Sequence, residues 1–252
     1  MMNKTNLSLF TFLFAGIIAL STPAQATVVL FDTNMGQIEV NLLDEHTPET
    51  VNNFIRYIET GSYQNSIIHR SMTNFIIQGG GFNYNIETGN VVDEQKFTSV
   101  ENEPVFSNVR GTIAMAKQSN DPNSATNQWF FNTQNNSANL DNQNDGFTVF
   151  GVVTLGMDIV DQINELPQYE ILGLPAFTDT PLQTAPAGDG ITEEHYVLVE
   201  SITITNANQD TQPDLPPEST AKKDDQDDSS GGGSLFWILS ILGFGLLRRA
   251  AK

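Results

Sequence analysis

Short stretches in which apolar and polar residues alternate are the feature that most constrains the fold of this chain. Residues 28–31 and 38–42 form two such stretches, and the sequence between them, Asn34-Met35-Gly36, is typical of a tight turn. Further short stretches follow at residues 67–70, 75–78, 111–116, 129–131, 149–153 and 197–204. Many short strands of this kind, separated by polar loops, predict a mainly-β fold, in the form of a closed antiparallel barrel.

Two segments have the periodicity of helices. In the first, Thr47 is placed as the N-cap, Pro48 fits the first helical position, and Gly61 stands where the helix would end. Its apolar residues recur at positions i, i+3, i+4 and i+7, namely Val51, Phe54, Ile55 and Ile58. The second segment covers residues 157–166 and is stopped by Pro167. We predict that these helices cap the barrel.

Composition excludes several classes of function. The 252 residues include 30 acidic and 11 basic side chains, a net charge of −19, which argues against binding nucleic acid. The chain has no cysteine, so disulfides, thiol catalysis and zinc–thiolate sites are excluded. Its three histidines, His46, His69 and His195, lack the spacing of metal ligands. We therefore expect neither a metal site nor a cofactor.

The N-terminal residues 1–26 have the pattern of a cleaved signal peptide. Lys4 precedes an apolar run over residues 7–20, and Ala24-Gln25-Ala26 fits a small-x-small cleavage site. A membrane anchor is the alternative, but the run is short for a transmembrane helix. We expect the mature chain to begin at Thr27 and to be exported.

The C-terminal segment carries a polar linker and a short apolar tail. Residues 206–230 have almost no apolar side chains and predict a disordered linker. Residues 231–252 combine a glycine-rich start, an apolar run over 235–247 and Arg248-Arg249, a pattern that resembles the GlyGly-CTERM sorting tail of Gram-negative bacteria. The resemblance implies membrane attachment and cleavage by a rhomboid-type protease, whereas an uncut anchor is the alternative. The working domain is then residues 27–205.

Two long motifs lie within this domain: residues 68–82 read IHRSMTNFIIQGGGF, and residues 111–133 contain GTIAMA followed by NQWFF. Both resemble motifs of the cyclophilin family of peptidyl-prolyl cis-trans isomerases. The corresponding family patterns are F-H-R-x-x-x-x-F-x-x-Q-G-G-D for the first motif, and G-x-x-x-M-A with S-Q-F-F-I for the second. Leu140-Asp141 and residues 147–151 (FTVFG) resemble a third block of the family. The family fold implies that the barrel has eight strands and two capping helices.

The resemblance implies an isomerase that rotates X–Pro peptide bonds in proline-containing polypeptides as a cofactor-free monomer. Amide resonance opposes this rotation with a barrier of about 18–20 kcal/mol, and a donor aimed at the prolyl nitrogen favours the twisted state. Arg70 is the matching family position for that donor, and a guanidinium suits it because it is permanently charged and planar. The implied substrate-binding residues are Phe75, Ile76, Gln78, Ala116, Lys117, Gln128, Phe130, Leu140 and Phe147. His69 precedes Arg70, so strand alternation places it on the opposite face, away from substrate.

Some positions depart from the family pattern. Ile76 replaces a methionine, Asn139 stands where many members have tryptophan, and Phe147 stands where eukaryotic members have histidine. We therefore expect weak affinity for cyclosporin. Gly81 replaces an aspartate, and residues 167–196 form a longer connection than is usual in the family.

Alternative interpretations remain open at this point. Arg70 could form a surface salt bridge, the apolar positions could be ordinary core, and Gln78 could stabilise a turn. At the level of function, the domain could bind proline peptides as a chaperone with little catalysis. It could also be a surface-displayed adhesive domain in which the tail matters most.

Overall fold

The computed structural model describes residues 26–186, 190–209 and 215–219, without the side chains of residues 26 and 206–209. Three α-helices are present in these ranges, α1 (Pro48–Glu59), α2 (Ser137–Leu140) and α3 (Met157–Glu165), together with a short 3-10 helix at Glu193–His195. The strands are β1 (Ala26–Thr33), β2 (Gly36–Leu42), β3 (Ser66–Ile67), β4 (Arg70–Met72), β5 (Ile76–Gly79), β6 (Phe82–Asn85), β7 (Asn90–Asp93), β8 (Thr112–Met115), β9 (Trp129–Asn132), β10 (Val149–Leu155), β11 (Gln168–Tyr169), β12 (Thr180–Pro181) and β13 (Leu198–Gln209).

Eleven of these strands form one antiparallel sheet, which confirms the mainly-β prediction. Their order is β4-β5-β9-β8-β10-β2-β1-β13-β3-β6-β7, and β11 pairs separately with β12. The predicted hairpin is present, because β1 pairs with β2 and Thr33 lies opposite Gly36 across the turn. The curled sheet forms a half-barrel, so closure into eight strands stays a prediction. The number of strands exceeds eight because several short segments of two to four residues between the longer strands also pair with a neighbour.

The two faces of the sheet support different clusters. Ile77 of β5, Phe131 of β9 and Ile113 of β8 lie opposite one another and belong to the interior core, a cluster of buried side chains under α1 and α3. The interior core is rich in aromatic contacts, such as the Phe31 ring 5.1 Å from Trp129. Ile76, Ala114 and Phe130, each one position away on the same strands, face the other way. They belong to the site-side cluster, which consists of Leu43, Ile76, Phe106, Ala114, Ala116, Phe130, Leu140, Phe147 and Val149. Strand alternation therefore separates the two clusters.

Helix α1 begins as predicted with Pro48 at its first position, but its N-terminus is capped by a distant residue. The Thr47 side chain makes no capping hydrogen bond and lies 3.4 Å from the Leu43 carbonyl instead. The Glu103 carboxylate accepts from the backbone N–H groups of Glu49 (3.3 Å) and Thr50 (2.9 Å). A carboxylate at this end also complements the helix dipole. The second predicted helix is α3, and the short helix α2 has too few residues for periodicity to reveal it.

The long connection between α3 and β13, residues 167–186 and 190–196, is called the insertion and packs against the sheet. Phe177 and Leu182 are fully buried, and they belong to the insertion cluster, which comprises Ile67, Tyr84, Ile171, Phe177, Leu182, Tyr196 and Leu198. Within the insertion, β11 pairs with β12, and Leu182 bridges to Tyr196. The insertion is therefore part of the folded domain, and it reaches β4 at the edge of the main sheet.

The C-terminal boundary of the domain lies beyond Thr205. Strand β13 continues to Gln209, and the segment Leu215–Ser219 packs back on the domain. In this contact the Pro217 carbonyl accepts from the Ser107 N–H (2.8 Å), and the Ser219 N–H donates to the Val105 carbonyl (2.8 Å). The predicted signal peptide and sorting tail lie outside the described residues. Within the described ranges, no helix is both long and apolar enough to cross a bilayer.

Candidate active site

One row of residues crosses four strands on the site-side face of the sheet. Arg70 of β4 lies opposite Gln78 of β5, Gln78 lies opposite Phe130 of β9, and Phe130 lies opposite Ala114 of β8. Directly paired residues in an antiparallel sheet point to the same face. The pairing register therefore brings the predicted catalytic residue, Arg70, to the same face as the predicted apolar pocket.

Three neighbours surround the Arg70 guanidinium. Its Nη1 donates to Gln78 Oε1 (3.4 Å), its Nη2 donates to Met72 Sδ (2.9 Å), and its Nε lies 3.9 Å from Asp179 Oδ2. The Arg70 side chain is only 13 % exposed. Burial lowers the pKa of Arg70, and the charge of Asp179 opposes that shift. Since an arginine keeps its charge in proteins, the group remains a cationic donor.

Gln78 connects Arg70 to a second predicted residue, Gln128. Gln78 Nε2 donates to Gln128 Oε1 (2.8 Å), while Gln78 Oε1 accepts from Arg70, so the amide of Gln78 is held at both ends. The glycines after Gln78 make room for this arrangement. A Cβ at Gly81 would clash with the Gln128 side chain, and one at Gly80, whose φ is +82°, would lie 2.5 Å from the Asn127 carbonyl. The glycine run thus permits a close approach of neighbouring backbone, as its sequence indicated.

The predicted apolar wall comes together next to this polar row. Ile76, Phe130, Leu140 and Phe147 are buried in the site-side cluster, and Phe75 is half-buried against it. The rings of Phe130 and Phe147 meet edge to face, with centroids 5.8 Å apart. Asn139 is not in the cluster, and its side-chain oxygen accepts from Gln143 Nε2. The structure therefore places a buried apolar cluster, with the half-buried Phe75 at its side, on the same face of the sheet as the Arg70 guanidinium.

The next two predicted residues follow the end of β8. The Ala116 N–H donates to the Gln128 carbonyl (2.9 Å), so this N–H is already occupied by a partner within the domain. The Lys117 side chain is almost fully buried, and its Nζ donates to the carbonyls of Asn144 (2.7 Å) and Gly146 (2.5 Å). Lys117 Nζ also lies 4.9 Å from the Phe147 ring centroid. Its side chain therefore fixes the loop that carries Phe147.

This loop has an unusual backbone. Asn144, Asp145 and Gly146 all have positive φ angles (51°, 60° and 75°). A left-handed conformation costs about 1–2 kcal/mol for a residue with a Cβ, so it needs support from neighbours. Two hydrogen bonds from the ammonium of Lys117 provide that support. Burial lowers the pKa of Lys117 to about 8, and the charges of Asp145 and Asp121 act in the opposite direction.

A buried polar network, which the sequence did not reveal, lies at Asp141 directly after Leu140. The Asp141 carboxylate accepts from the backbone N–H of Asn108 (2.9 Å) and from the Ser107 hydroxyl (2.7 Å). Asn108 Nδ2 donates to the Phe147 carbonyl (3.0 Å), and Asn136 Nδ2 donates to the Phe75 carbonyl (2.9 Å). The network thus fixes the backbone on both sides of the apolar wall. Asn108 and Asn136 resemble loop residues in the sequence, and only burial distinguishes them.

His69 lies on the other face from Arg70. It is buried against the rings of Phe82 (4.9 Å between centroids) and Phe177 (5.8 Å). Burial and the neighbouring charge of Arg70 lower the pKa of His69 to about 3, against a weaker opposing hydrogen bond to the backbone of Ile67. The ring is therefore neutral at physiological pH. In the described residues, no group of three or more histidine, aspartate or glutamate side chains could hold a metal ion.

Comparisons with known proteins show which family the chain resembles. The family "Cyclophilin type peptidyl-prolyl cis-trans isomerase/CLD" matches residues 28–185. A peptidyl-prolyl cis-trans isomerase of Acinetobacter baylyi is 40 % identical over 144 residues, which cover 56 % of this chain and 73 % of the relative. Peptidyl-prolyl cis-trans isomerase B of Escherichia coli is 36 % identical over 186 residues, which cover 71 % of this chain and 99 % of the relative.

Solved structures show the same fold. A cyclophilin type peptidyl-prolyl cis-trans isomerase of Cryptosporidium parvum, crystallised in the presence of the dipeptide Ala-Pro, superposes with a TM-score of 0.52 at 21 % identity. The match covers 71 % of this chain and 99 % of the other. From the extent of the family match and the similarity to its relatives, the chain belongs to the cyclophilin-type peptidyl-prolyl cis-trans isomerase family.

Proposed function

We propose that this domain catalyses the cis–trans isomerisation of X–Pro bonds in exported polypeptides, with Arg70 as its catalytic residue. The observation that carries the proposal is the row that places Arg70 opposite Gln78 and Phe130, beside the apolar site-side cluster. This arrangement provides a cationic donor at the edge of a surface that suits a proline ring. It is consistent with membership of the isomerase family.

The chemistry follows from the electronic structure of the peptide bond. Rotation removes the nitrogen lone pair from resonance, so the prolyl nitrogen becomes pyramidal and can accept a hydrogen bond only in the twisted state. A donor at that nitrogen therefore stabilises the transition state more than either planar isomer. Arg70 supplies such a donor, and Gln78 restricts its movement. The reaction needs no nucleophile and no proton transfer.

The other residues are assigned to binding. Phe75, Ile76, Phe130, Leu140 and Phe147 would hold the proline ring, because they provide apolar surface next to Arg70. Gln78 and Gln128 would bind the substrate backbone, although in the structure their amides are bonded to each other. Ala116 would accept a hydrogen bond from the substrate main chain through its carbonyl. Lys117 contributes through the loop at Asn144–Gly146, as its side chain points there.

Export is supported by the sequence of the two ends. The signal-like residues 1–26 and the tail at 231–252 favour a periplasmic or cell-surface location in a Gram-negative bacterium. The tail would attach the chain to the membrane before any processing by a rhomboid-type protease. Mass spectrometry of the C-terminus from membrane and soluble fractions tests this part, since cleavage near Gly231 removes the apolar run and an uncut chain retains it.

A protease-coupled isomerisation assay on the full chain tests the activity. We expect Arg70→Ala to lower kcat/KM by about 100-fold or more, as for loss of a donor to the transition state. The matched control is Arg110→Ala, because Arg110 forms an ion pair with Asp161 outside the site. If the wild-type chain binds proline peptides without accelerating their isomerisation, the domain is a binding module and the enzymatic proposal is wrong.

A further inference from the structure

The insertion covers the edge of the strand that carries Arg70. Strand β4 is an edge strand of the main sheet, and β12 of the insertion lies alongside it. The Ser71 N–H donates to the Asp179 carbonyl (2.7 Å), and the Thr180 hydroxyl donates to the His69 carbonyl (2.9 Å). His69 and Ser71, which flank Arg70 in sequence, therefore fix the Thr180 side chain and the Asp179 backbone, respectively.

Apolar anchors on both sides make this contact rigid. Phe177 precedes Asp179 by two residues and Leu182 follows it by three, and both side chains are fully buried in the insertion cluster. The Asp179 side chain is itself held, because its Oδ2 accepts a hydrogen bond from the Thr178 hydroxyl (2.8 Å). A carboxylate on a segment fixed in this way has a defined position relative to Arg70.

Asp179 approaches Arg70 from the side that Gln78 and Met72 leave open. Gln78 and Met72 contact the two Nη atoms, whereas Asp179 Oδ2 lies 3.9 Å from Nε. This distance is too long for a hydrogen bond, so the carboxylate acts through its charge. The domain offers a second arginine–aspartate pair for comparison: Arg110 and Asp161 are bidentate at 2.6–2.7 Å, but both are well exposed. The contact at the site is therefore the looser of the two, and its contribution to stability is expected to be small.

We propose that Asp179 is a positioning residue, which holds the Nε side of Arg70 so that its Nη groups face the proline pocket. This inference rests on the proposed function of Arg70 and extends it to the insertion. A guanidinium attracted from one side by a fixed charge loses rotational freedom, and catalysis benefits when a donor is already oriented before the transition state forms. The carboxylate also counters the electrostatic cost of burying the cation.

The test compares Asp179→Asn with Asp161→Asn, which removes one carboxylate charge from each arginine–aspartate pair. In the full chain we expect Asp179→Asn to lower kcat by about three- to ten-fold with KM within about two-fold of wild type, the range for a partly exposed charge contact. Asp161→Asn is expected to leave both parameters unchanged. Asp179→Glu keeps the charge and should restore part of kcat. The proposal is overturned if Asp179→Asn has the kcat of the wild type, or if Asp161→Asn lowers kcat by the same factor as Asp179→Asn.

A second measurement separates this proposal from the isomerase proposal. The Nε–Hε resonance of Arg70, assigned by its absence in Arg70→Lys, reports the environment of Nε without any turnover. We expect this resonance to shift and its hydrogen exchange to accelerate in Asp179→Asn, and to remain unchanged in Asp161→Asn. An unchanged resonance in Asp179→Asn overturns the positioning role even in an active enzyme. Conversely, a shifted resonance in a chain without isomerase activity supports the contact while the isomerase proposal fails.

Discussion

The two faces of the sheet use alternate residues of the same strands for opposite purposes. On the interior face, Ile77, Phe131 and Ile113 pack among the apolar side chains of the interior core. On the site-side face, the buried row includes a guanidinium and an amide, Arg70 and Gln78. Burial of apolar surface stabilises the domain without further conditions, whereas each buried polar group needs a partner to offset its loss of hydration. Apolar burial on the interior face therefore offsets the cost of burying polar groups on the site-side face.

The largest effect is expected from removing an aromatic ring on the interior face. Phe131→Ala should lower the free energy of unfolding by about 3–5 kcal/mol, because it leaves a cavity in the interior core. Phe130→Ala, the next residue on β9, should also destabilise the domain but in addition raise KM. Denaturant unfolding and Michaelis kinetics on both variants distinguish the faces. Equal effects of both variants on KM would show that the faces are not functionally separate.

The second prediction concerns pH, through the buried His69. Its pKa is about 3 in the folded chain and 6.5 when unperturbed, so the folded state resists protonation and stability falls as pH drops from about 6.5 towards 3. Each pH unit in this range lowers the free energy of unfolding by about 1.4 kcal/mol, so at about pH 4.5 the contribution of His69 should have lowered it by about 2–3 kcal/mol relative to pH 7. His69→Phe should lose this part of the pH dependence, whereas His195→Phe, which changes an exposed turn, should retain it. Unfolding curves at several pH values provide the measurement, and equal slopes for wild type and His69→Phe would contradict the prediction.

A smaller effect is expected at Lys117, the buried cation of the site-side face. Lys117→Met removes both hydrogen bonds to the loop at Asn144–Gly146, and we expect a loss of about 1–2 kcal/mol in stability together with a raised KM. Because the pKa of Lys117 is lowered to about 8 from 10.5, the ammonium loses its proton at a lower pH in the folded state than in the unfolded state. Wild type should therefore gain stability relative to Lys117→Met as pH rises from about 8 to 10.

The matched control for Lys117→Met is Lys96→Met, which changes an exposed lysine. We expect it to stay within about 0.5 kcal/mol of wild type. A Lys117→Met variant with the stability and KM of Lys96→Met would show that the loop at Asn144–Gly146 does not depend on the ammonium.

The smallest effect is expected at the contact between Leu215–Ser219 and the domain. Truncation after Gln209 removes the acceptor of the Ser107 N–H, so hydrogen exchange at Ser107 should accelerate, while the free energy of unfolding changes by less than about 1 kcal/mol. Exchange at the Met115 N–H, which is bonded to the Thr148 carbonyl, serves as the internal reference. Unchanged exchange at Ser107 would show that the segment is not held there in solution.

Local patterns in the sequence predicted most of the elements that build the domain. Alternation of apolar and polar residues predicted the hairpin of β1 and β2. Helical periodicity and helix-terminating residues predicted the helix that begins at Pro48 and the helix that ends before Pro167. Thr47 occupies the N-cap position as predicted, but the Glu103 carboxylate, and not the Thr47 side chain, accepts from the free N–H groups of the helix. Such a contact between distant residues leaves no local pattern.

The candidate site was predictable only in part. The three motifs pointed to Arg70, Gln78 and Phe130 of the row and to the apolar wall, and the structure brings them together. The motifs gave no indication that the Lys117 ammonium binds the loop before Phe147, or that Asp179 approaches Arg70. Both contacts depend on where a loop folds back, and loop paths are set by packing rather than by periodicity.

The sequence by itself determined the mainly-β fold, the helix positions, the acidic character and the family resemblance, because these follow from patterns within a few neighbouring residues. Only the tertiary structure decided which polar groups are buried and which partners they have. Asp179 is one acidic residue among 30 until the anchors at Phe177 and Leu182 place it beside Arg70. Its significance arises from burial and distance, which are properties of the packed chain and not of any short segment.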